Sequence, residues 1–322
     1  MMTKITYDRD GNLAVSQNEK DKIIWIDVFE PNNDDRHYLE NEYNISLPFH
    51  YEMNNIEFSN RFFEENNGVY LSFNVVTTVI PVPESHVVTF ILTKSIFVTL
   101  RFSNPSPTNT FISQLTDRKY YAKSPIEAFQ TLFTVIIGKI ADLYQIIDEK
   151  SENLAFSLIR NIDKNKKDIH KKDLNKTLRE INLLESLLSK IYQSLSSLSL
   201  LATFFEKNTS VSISKEMMVN LEKNHNDIRA MLKHGEYLNQ KLGFQLQSTL
   251  GLINIEQTNI IKFFTILATI FIPPTLVSNI FGMNFKGILD NTTILGYVVA
   301  FILMSVFSYG VYVFVKRKRW LE

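Results

Sequence analysis

Residues 263–281 read FFTILATIFIPPTLVSNIF, and residues 294–315 read ILGYVVAFILMSVFSYGVYVFV. Neither run contains a charged residue, and they are about 19 and about 22 residues long. A bilayer core of about 30 Å takes about 20 helical residues, so each run is long enough to cross it. Two such runs in succession leave no polar face for a soluble protein to turn outward. The reading is a pair of transmembrane helices, 263–281 and 294–315, joined by an external loop, 282–293.

The flanks set the orientation. Lys316, Arg317, Lys318 and Arg319 follow the second run directly, so the basic tail, 316–322, is expected in the cytoplasm. Two spans return everything before residue 263 to the same side. Lys286 and Asp290 are the only charges between the spans, and Tyr297, Tyr309, Tyr312 and Trp320 lie toward the ends of the second, at the level of lipid headgroups. The expectation is a multi-pass protein of the cell (inner) membrane, in contact with lipid, with both termini cytoplasmic.

The preceding residues divide by pattern. Residues 1–120 read as a cytoplasmic α/β domain, with β-branched and aromatic runs at 23–29, 69–80, 86–93 and 96–102 as strands and Pro81, Pro83, Pro105 and Pro107 in the turns. Residues 121–213 read as a helical hairpin. Ser124-Pro125-Ile126-Glu127 supplies a cap, a proline at the first helical position and a capping-box glutamate. The first helix is expected to run to about residue 162 and the second from about 174 to 205. Lys164, Lys166, Lys167, Lys171 and Lys172 form the tip between them, read as a solvated end. A stalk helix, 214–262, carries Met218, Leu221, Ile228, Leu232, Leu242, Leu246 and Ile253 at steps of three and four, with no stop before the first span. If it continues into that span it covers about 67 residues, roughly 100 Å, and links the cytoplasmic packing to the membrane. Gly235, Gly243 and Gly251 each lower helix propensity by up to about 1 kcal/mol, so they are expected to mark close contacts.

Composition narrows the function. Thirty-four basic and 34 acidic residues balance, giving no reason to expect a nucleic-acid partner, and there is no cysteine for disulfides, thiolate zinc sites or thiol catalysis. The polar, charged opening of the chain argues against a cleavable signal peptide. The six histidines show no His-Glu-x-x-His spacing, and neither a Gly-x-Ser-x-Gly elbow nor a phosphate loop is present, so an enzyme is not expected.

The first span ends in Ile280-Phe281-Gly282-Met283-Asn284-Phe285. Gly-Met-Asn at this place, after Thr265-Ile266-Leu267-Ala268-Thr269-Ile270-Phe271-Ile272-Pro273 and before a basic terminus, resembles the CorA family of magnesium and cobalt transporters. The resemblance extends over the whole layout of α/β domain, hairpin, long helix and two spans. It implies a funnel-shaped homo-oligomer, a pentamer, in which Gly282, Met283 and Asn284 form the selectivity motif. It further implies apolar gates at Ile272 and near Phe264, and closure by intracellular Mg²⁺ held by carboxylates between neighbouring cytoplasmic domains, with Glu216, Glu222 and Asp227 as candidates. No cofactor is expected; Mg²⁺ is substrate and regulatory ligand.

The chemistry fits independently. Mg²⁺ gives up water reluctantly, and a ring of neutral Asn284 amides can bond its hydration shell without gripping the ion. Gly282 would permit a backbone geometry closed to other residues. Thr258, Ile261, Thr265, Ala268, Ile272, Thr275 and Asn279 alternate at steps of three and four, so they share one small, hydroxylic stripe, read as pore-lining. Ile272 would be a constriction that gates by dewetting. Two spans cannot enclose a channel alone, so copies of the chain must assemble.

Some residues depart from the family pattern. Lys286 and Ile288-Leu289-Asp290 stand where an acidic loop is usual, which would weaken cation attraction at the mouth. Pro274 adds a second proline, and Thr258 stands near a customary asparagine. The alternatives are a zinc transporter of the same fold, which Met283 disfavours, and a membrane-anchored enzyme or signalling module, which would need no ring. Co²⁺ and Ni²⁺ are further possible substrates.

Overall fold

The computed structural model describes residues 1–16, 21–53, 61–66, 68–78, 82–103, 112, 120–163, 171–208, 215–282 and 294–317. Two compact units result: Met1–Asp163 with Lys176–Leu246, and Gln247–Glu322 with Lys164–Asn175.

In the first unit the strands β1 (Met2–Tyr7), β2 (Leu13–Val15), β3 (Trp25–Phe29), β4 (Phe62–Glu65), β5 (Gly68–Thr78), β6 (Glu84–Leu92) and β7 (Phe97–Arg101) form one sheet in the order β2-β1-β3-β7-β6-β5-β4. Only β3 and β7 pair in parallel. β3, β5, β6 and β7 fall on the predicted apolar runs; β1, β2, β4 and two short helices, α1 (Asn33–Tyr43) and α2 (His50–Met53), are additions. Side chains alternate between the faces as the pleat requires. Trp25, Phe73, Phe90 and Phe97 join Phe129, Phe133, Leu195 and Phe205 in the main core, while Ile26, Val28, Tyr70, Ile91, Val98 and Leu100 meet Leu39 and Met53 in a smaller one. Both faces are covered, which is why the central strands read as near-continuous apolar runs.

The main core is shared by the sheet and the helices α3 (Pro125–Asp163), α4 (Lys171–Asn208) and the first part of α5 (Lys215–Phe281). The described residues of 1–163 and 176–246 thus pack as one body, in which Phe129 and Phe133 enter the same aromatic cluster as Phe90 and Phe97. The start of α3 corrects the capping box by one residue. Ser124 Oγ accepts from Glu127 N at 3.4 Å, but the Glu127 carboxylate accepts from Lys123 N, at 2.8 Å, rather than from the cap residue. Lys171 and Lys172 already belong to α4, and 164–170 lie outside the described residues.

Polar groups inside this body are paired across elements. Arg101 grips Asp27 through Nε (3.1 and 3.2 Å) and Nη2 (2.8 Å); both are buried, and Thr99 Oγ1 donates to Asp27 at 2.6 Å while accepting from Trp25 Nε1. β4 ends its pairing at Leu71, so β5 continues as a sheet edge. There Asn74 N–H donates to Ser197 Oγ (3.1 Å) and Asn74 C=O accepts from Ser194 Oγ (2.6 Å), so α4 closes the edge. At the opposite margin Leu13 N–H donates to Tyr120 C=O at 2.6 Å and Ala122 N–H to Gly11 C=O at 2.9 Å.

A seam of polar contacts joins α3 to α5: Asn224 Nδ2 to Thr134 Oγ1 (2.9 Å), Lys241 to Asp148 (2.8 Å) and Gln245 Nε2 to Ser151 C=O (2.8 Å). Between them Tyr144 lies against Gly235, where a Cβ would strike the phenol oxygen. Burial pushes the Tyr144 phenol up to about 12, and its hydroxyl has no hydrogen-bond partner among the described residues. Gly243 and Gly251, by contrast, have open space where a Cβ would stand, so of the three stalk glycines only Gly235 marks a close approach.

Candidate functional site

The expected membrane spans lie in the second unit, in the C-terminal part of α5 and in α6 (Ile294–Arg317). α5 is one helix of 67 residues, and both helices contain a stretch long and apolar enough to cross a membrane. Those stretches are only 6% and 11% buried within the chain, so they are not core helices of a soluble fold.

Each helix is covered along one stripe. On the spanning part of α5 the covered or half-covered residues are Ile266, Thr269, Ile270, Pro273, Pro274, Val277 and Phe281; on α6 they include Gly296, Ala300, Met304, Ser308, Val311 and Val315. Thr258, Ile261, Thr265, Ala268, Ile272, Thr275 and Asn279, the residues read as pore-lining, are all exposed, as is Phe264. Ile272 is 63% exposed and Phe264 61%.

The hydroxyls on that stripe turn back on their own helix. Thr258, Thr265 and Thr275 each donate to the carbonyl four residues earlier, at 2.8 Å. A hydroxyl that donates inward keeps acceptor lone pairs free on its outer side, where water bound to a cation can donate to them. Pro273 and Pro274 interrupt the ladder that supports this turn. A proline has no N–H for the carbonyl four residues back, so Thr269 and Ile270 lose their usual donors. Ser308 Oγ of α6 lies 3.5 Å from the Ile270 carbonyl oxygen. Sequence reading missed Ser308; the signal was a serine on the covered stripe of one span and a second proline in the other.

Gly282 N–H donates to Ser278 C=O at 2.9 Å, as in a continuing helix, and its φ is not positive. Gly282 therefore does not use the backbone geometry closed to other residues that glycine would permit. Met283 and Asn284, the loop to residue 293, and Lys318 to the end lie outside the described residues. Lys316 and Arg317 form the last turn of α6.

Glu216, Glu222 and Asp227 are exposed on α5. Carboxylates are the oxygen donors a hard cation takes. In a 3.6-residue helix Glu222 lies on a different side from Glu216 and Asp227, and those two share a side but stand about 16 Å apart along the axis, so one chain does not gather the three around one ion. Among the described residues no group of three or more His, Asp or Glu is placed to hold a metal ion.

An α/β–helical body whose last helix runs on into a membrane-length apolar stretch, followed by a second such helix, defines a two-span membrane protein. The chain belongs to the CorA-like Mg²⁺ transporter protein family, whose profile matches residues 20–317. It is 29% identical to the magnesium transport protein CorA of Sodalis glossinidius over 325 residues, covering 99% of this chain and 96% of that one. It is likewise 29% identical to the magnesium transport protein CorA of Escherichia coli K12 over 303 residues, or 92% of each. The fold matches the complete structure of the CorA magnesium transporter from Methanocaldococcus jannaschii with a TM-score of 0.71 at 16% identity, covering 99% of this chain and 98% of that one.

Proposed function

We propose that the chain is one subunit of a homo-oligomeric channel, a pentamer, that admits Mg²⁺ to the cell. The observation that carries this reading is the small, hydroxylic stripe from Thr258 to Asn279, exposed on a helix that ends at Phe281, directly before Gly282-Met283-Asn284 in the sequence, in a member of a Mg²⁺ transporter family. Copies turning that stripe toward a common axis would enclose a small, hydroxyl-lined path. Asn284, repeated around the mouth, would bind the hydration shell of Mg²⁺ rather than the bare ion, which keeps release fast. Ile272, and Phe264 further inward, are apolar side chains at which such a path would dewet and close.

The driving force needs no second substrate. A divalent ion moving inward gains about 4.6 kcal/mol per 100 mV of inside-negative potential, twice the single-charge value. Lys316, Arg317, Lys318 and Arg319 favour a cytoplasmic C-terminus, and two spans put the α/β–helical body on the same side. Internal Mg²⁺ bound between neighbouring subunits, by acids such as Glu216, Glu222 and Asp227, would then report supply to the pore.

The test is Mg²⁺ influx into liposomes containing the purified protein, with Asn284→Ala beside the wild type. Influx that rises with inside-negative potential and collapses in the variant supports the reading. Passage of Zn²⁺ but not Mg²⁺ under every potential would keep the fold and overturn the substrate.

A further inference from the structure

We infer that Ser308 replaces the hydrogen-bond donor that Pro274 removes, and so pins the turn of α5 that carries Ile272 to α6. Pro274 stands four residues after Ile270, so the Ile270 carbonyl has no helical N–H to accept. In an apolar medium a free carbonyl is costly, and a proline in a spanning helix is tolerated where a neighbouring side chain satisfies the group it frees. Ser308 Oγ is in that place, 3.5 Å from the Ile270 oxygen, at the outer limit of a hydrogen bond. Both residues are half-buried, and within a bilayer core bulk water would not be at hand as the alternative partner.

The neighbouring serine shows that this is a choice of partner. Ser305, one turn earlier on α6, donates to its own helix at Phe301 C=O, 2.8 Å away. Ser308 points instead across to α5, and this is its only hydrogen bond among the described residues. Thr265, Thr269 and Thr275 on α5 also bond within their own helix. The cross-helix bond therefore falls where the ladder is broken, two residues before the proposed constriction at Ile272. Ser308 is a positioning residue. It lies on the covered stripe of α6, away from the exposed stripe, and acts through the Ile270 carbonyl. Pro274 and Ser308 form a matched pair: the second proline opens an acceptor and the serine closes it.

The inference rests on the channel reading for its consequence, but the pairing is measurable without it. Ser308→Ala, Ser308→Thr, Pro274→Ala and the double variant Ser308→Ala/Pro274→Ala are compared as full-length protein. Two readouts are taken: thermal unfolding in detergent, and Mg²⁺ influx into liposomes at blocking and non-blocking internal Mg²⁺. Interhelical hydrogen bonds in membranes are modest, so Ser308→Ala is expected to raise the residual flux under block about three-fold and to lower the unfolding temperature. Ser308→Thr, which keeps the hydroxyl, is expected to restore both. In the Pro274→Ala background, where Ile270 regains a helical donor, Ser308→Ala is expected to change neither. Ser308→Ala matching the wild type in both readouts, or acting equally with and without Pro274, would overturn the pairing. Wild-type protein that carries no Mg²⁺ would remove the channel reading, while the coupling in unfolding temperature still decides whether Ser308 answers Pro274.

Discussion

The α/β–helical body and the two apolar helices differ in how far their hydroxyl groups reach. In the body several join one element to another: Ser194 and Ser197 of α4 serve the β5 edge, and Thr134 and Ser151 of α3 meet Asn224 and Gln245 of α5. Thr134, Ser197, Ser157 and Thr203 also donate to carbonyls of their own helix. In the apolar helices Thr258, Thr265, Thr269, Thr275 and Ser305 bond back to their own backbone, and among the described residues of these spans Ser308 reaches across. The body is a finished piece of packing. The helices are finished only as single helices, and most of their outer surface stays uncovered within the chain.

The largest expected effect lies at the centre of the body. Asp27→Ala leaves the Arg101 guanidinium buried without its carboxylate, and removing one partner of such a pair costs about 3–5 kcal/mol. Thermal unfolding of the purified protein should show a loss of that order; a variant melting with the wild type would break the claim that the body is held by its internal pairs. Next comes a contrast of sign. Gly235→Ala drives a methyl into Tyr144 and should lose about 1–3 kcal/mol to overpacking, less the helix propensity gained. Gly243→Ala meets nothing within 4 Å and should gain up to about 1 kcal/mol.

Tyr144 itself sharpens the comparison through pH. Its phenol titrates at about 12 in the folded protein, raised by burial, against 10.0 when exposed. The unfolded chain therefore loses this proton first. The contribution is present in full below pH 10.0 and is lost as the pH rises toward about 12. Tyr144→Phe removes a buried hydroxyl without a partner, so at neutral pH it should be neutral or stabilising by up to about 1 kcal/mol. It should also flatten the alkaline loss in a pH series of unfolding curves. The smallest effect is expected in the apolar helices: Thr265→Val, whose hydroxyl serves only its own helix, should shift stability within about 0.5 kcal/mol. A larger loss would mean that Thr265 has a partner in the assembled protein.

The legible part of the chain was the part with a strong period. The two uncharged runs were legible by their length and lack of charge, and β3, β5, β6, β7 and the long helices of the body fell near their expected places because each buries a continuous face. β1, β2 and β4 were missed because they are short or only partly covered, with too few apolar residues to impose an alternation. The stripe of α5 read as pore-lining was drawn from spacing; its residues are exposed in the structure, as are most of their neighbours on that helix. Ser308 could not be singled out, because a serine in an apolar run looks the same whether it bonds its own helix or the next. Tyr144 against Gly235 was half visible: the glycine was noted, but nothing in its spacing separated it from Gly243 and Gly251.

The way the sheet ends has a consequence for assembly. β2 is three residues long and held by the backbone at 120–122; β4 is four residues long; and Asn74 on β5 is closed by α4. A neighbouring chain finds little backbone there to extend in register, so copies assembling as the proposed channel would have to recognise one another through side chains. Interfaces of that kind would slide and re-form without unravelling a strand ladder, and many copies crowded together would meet no template for a fibre.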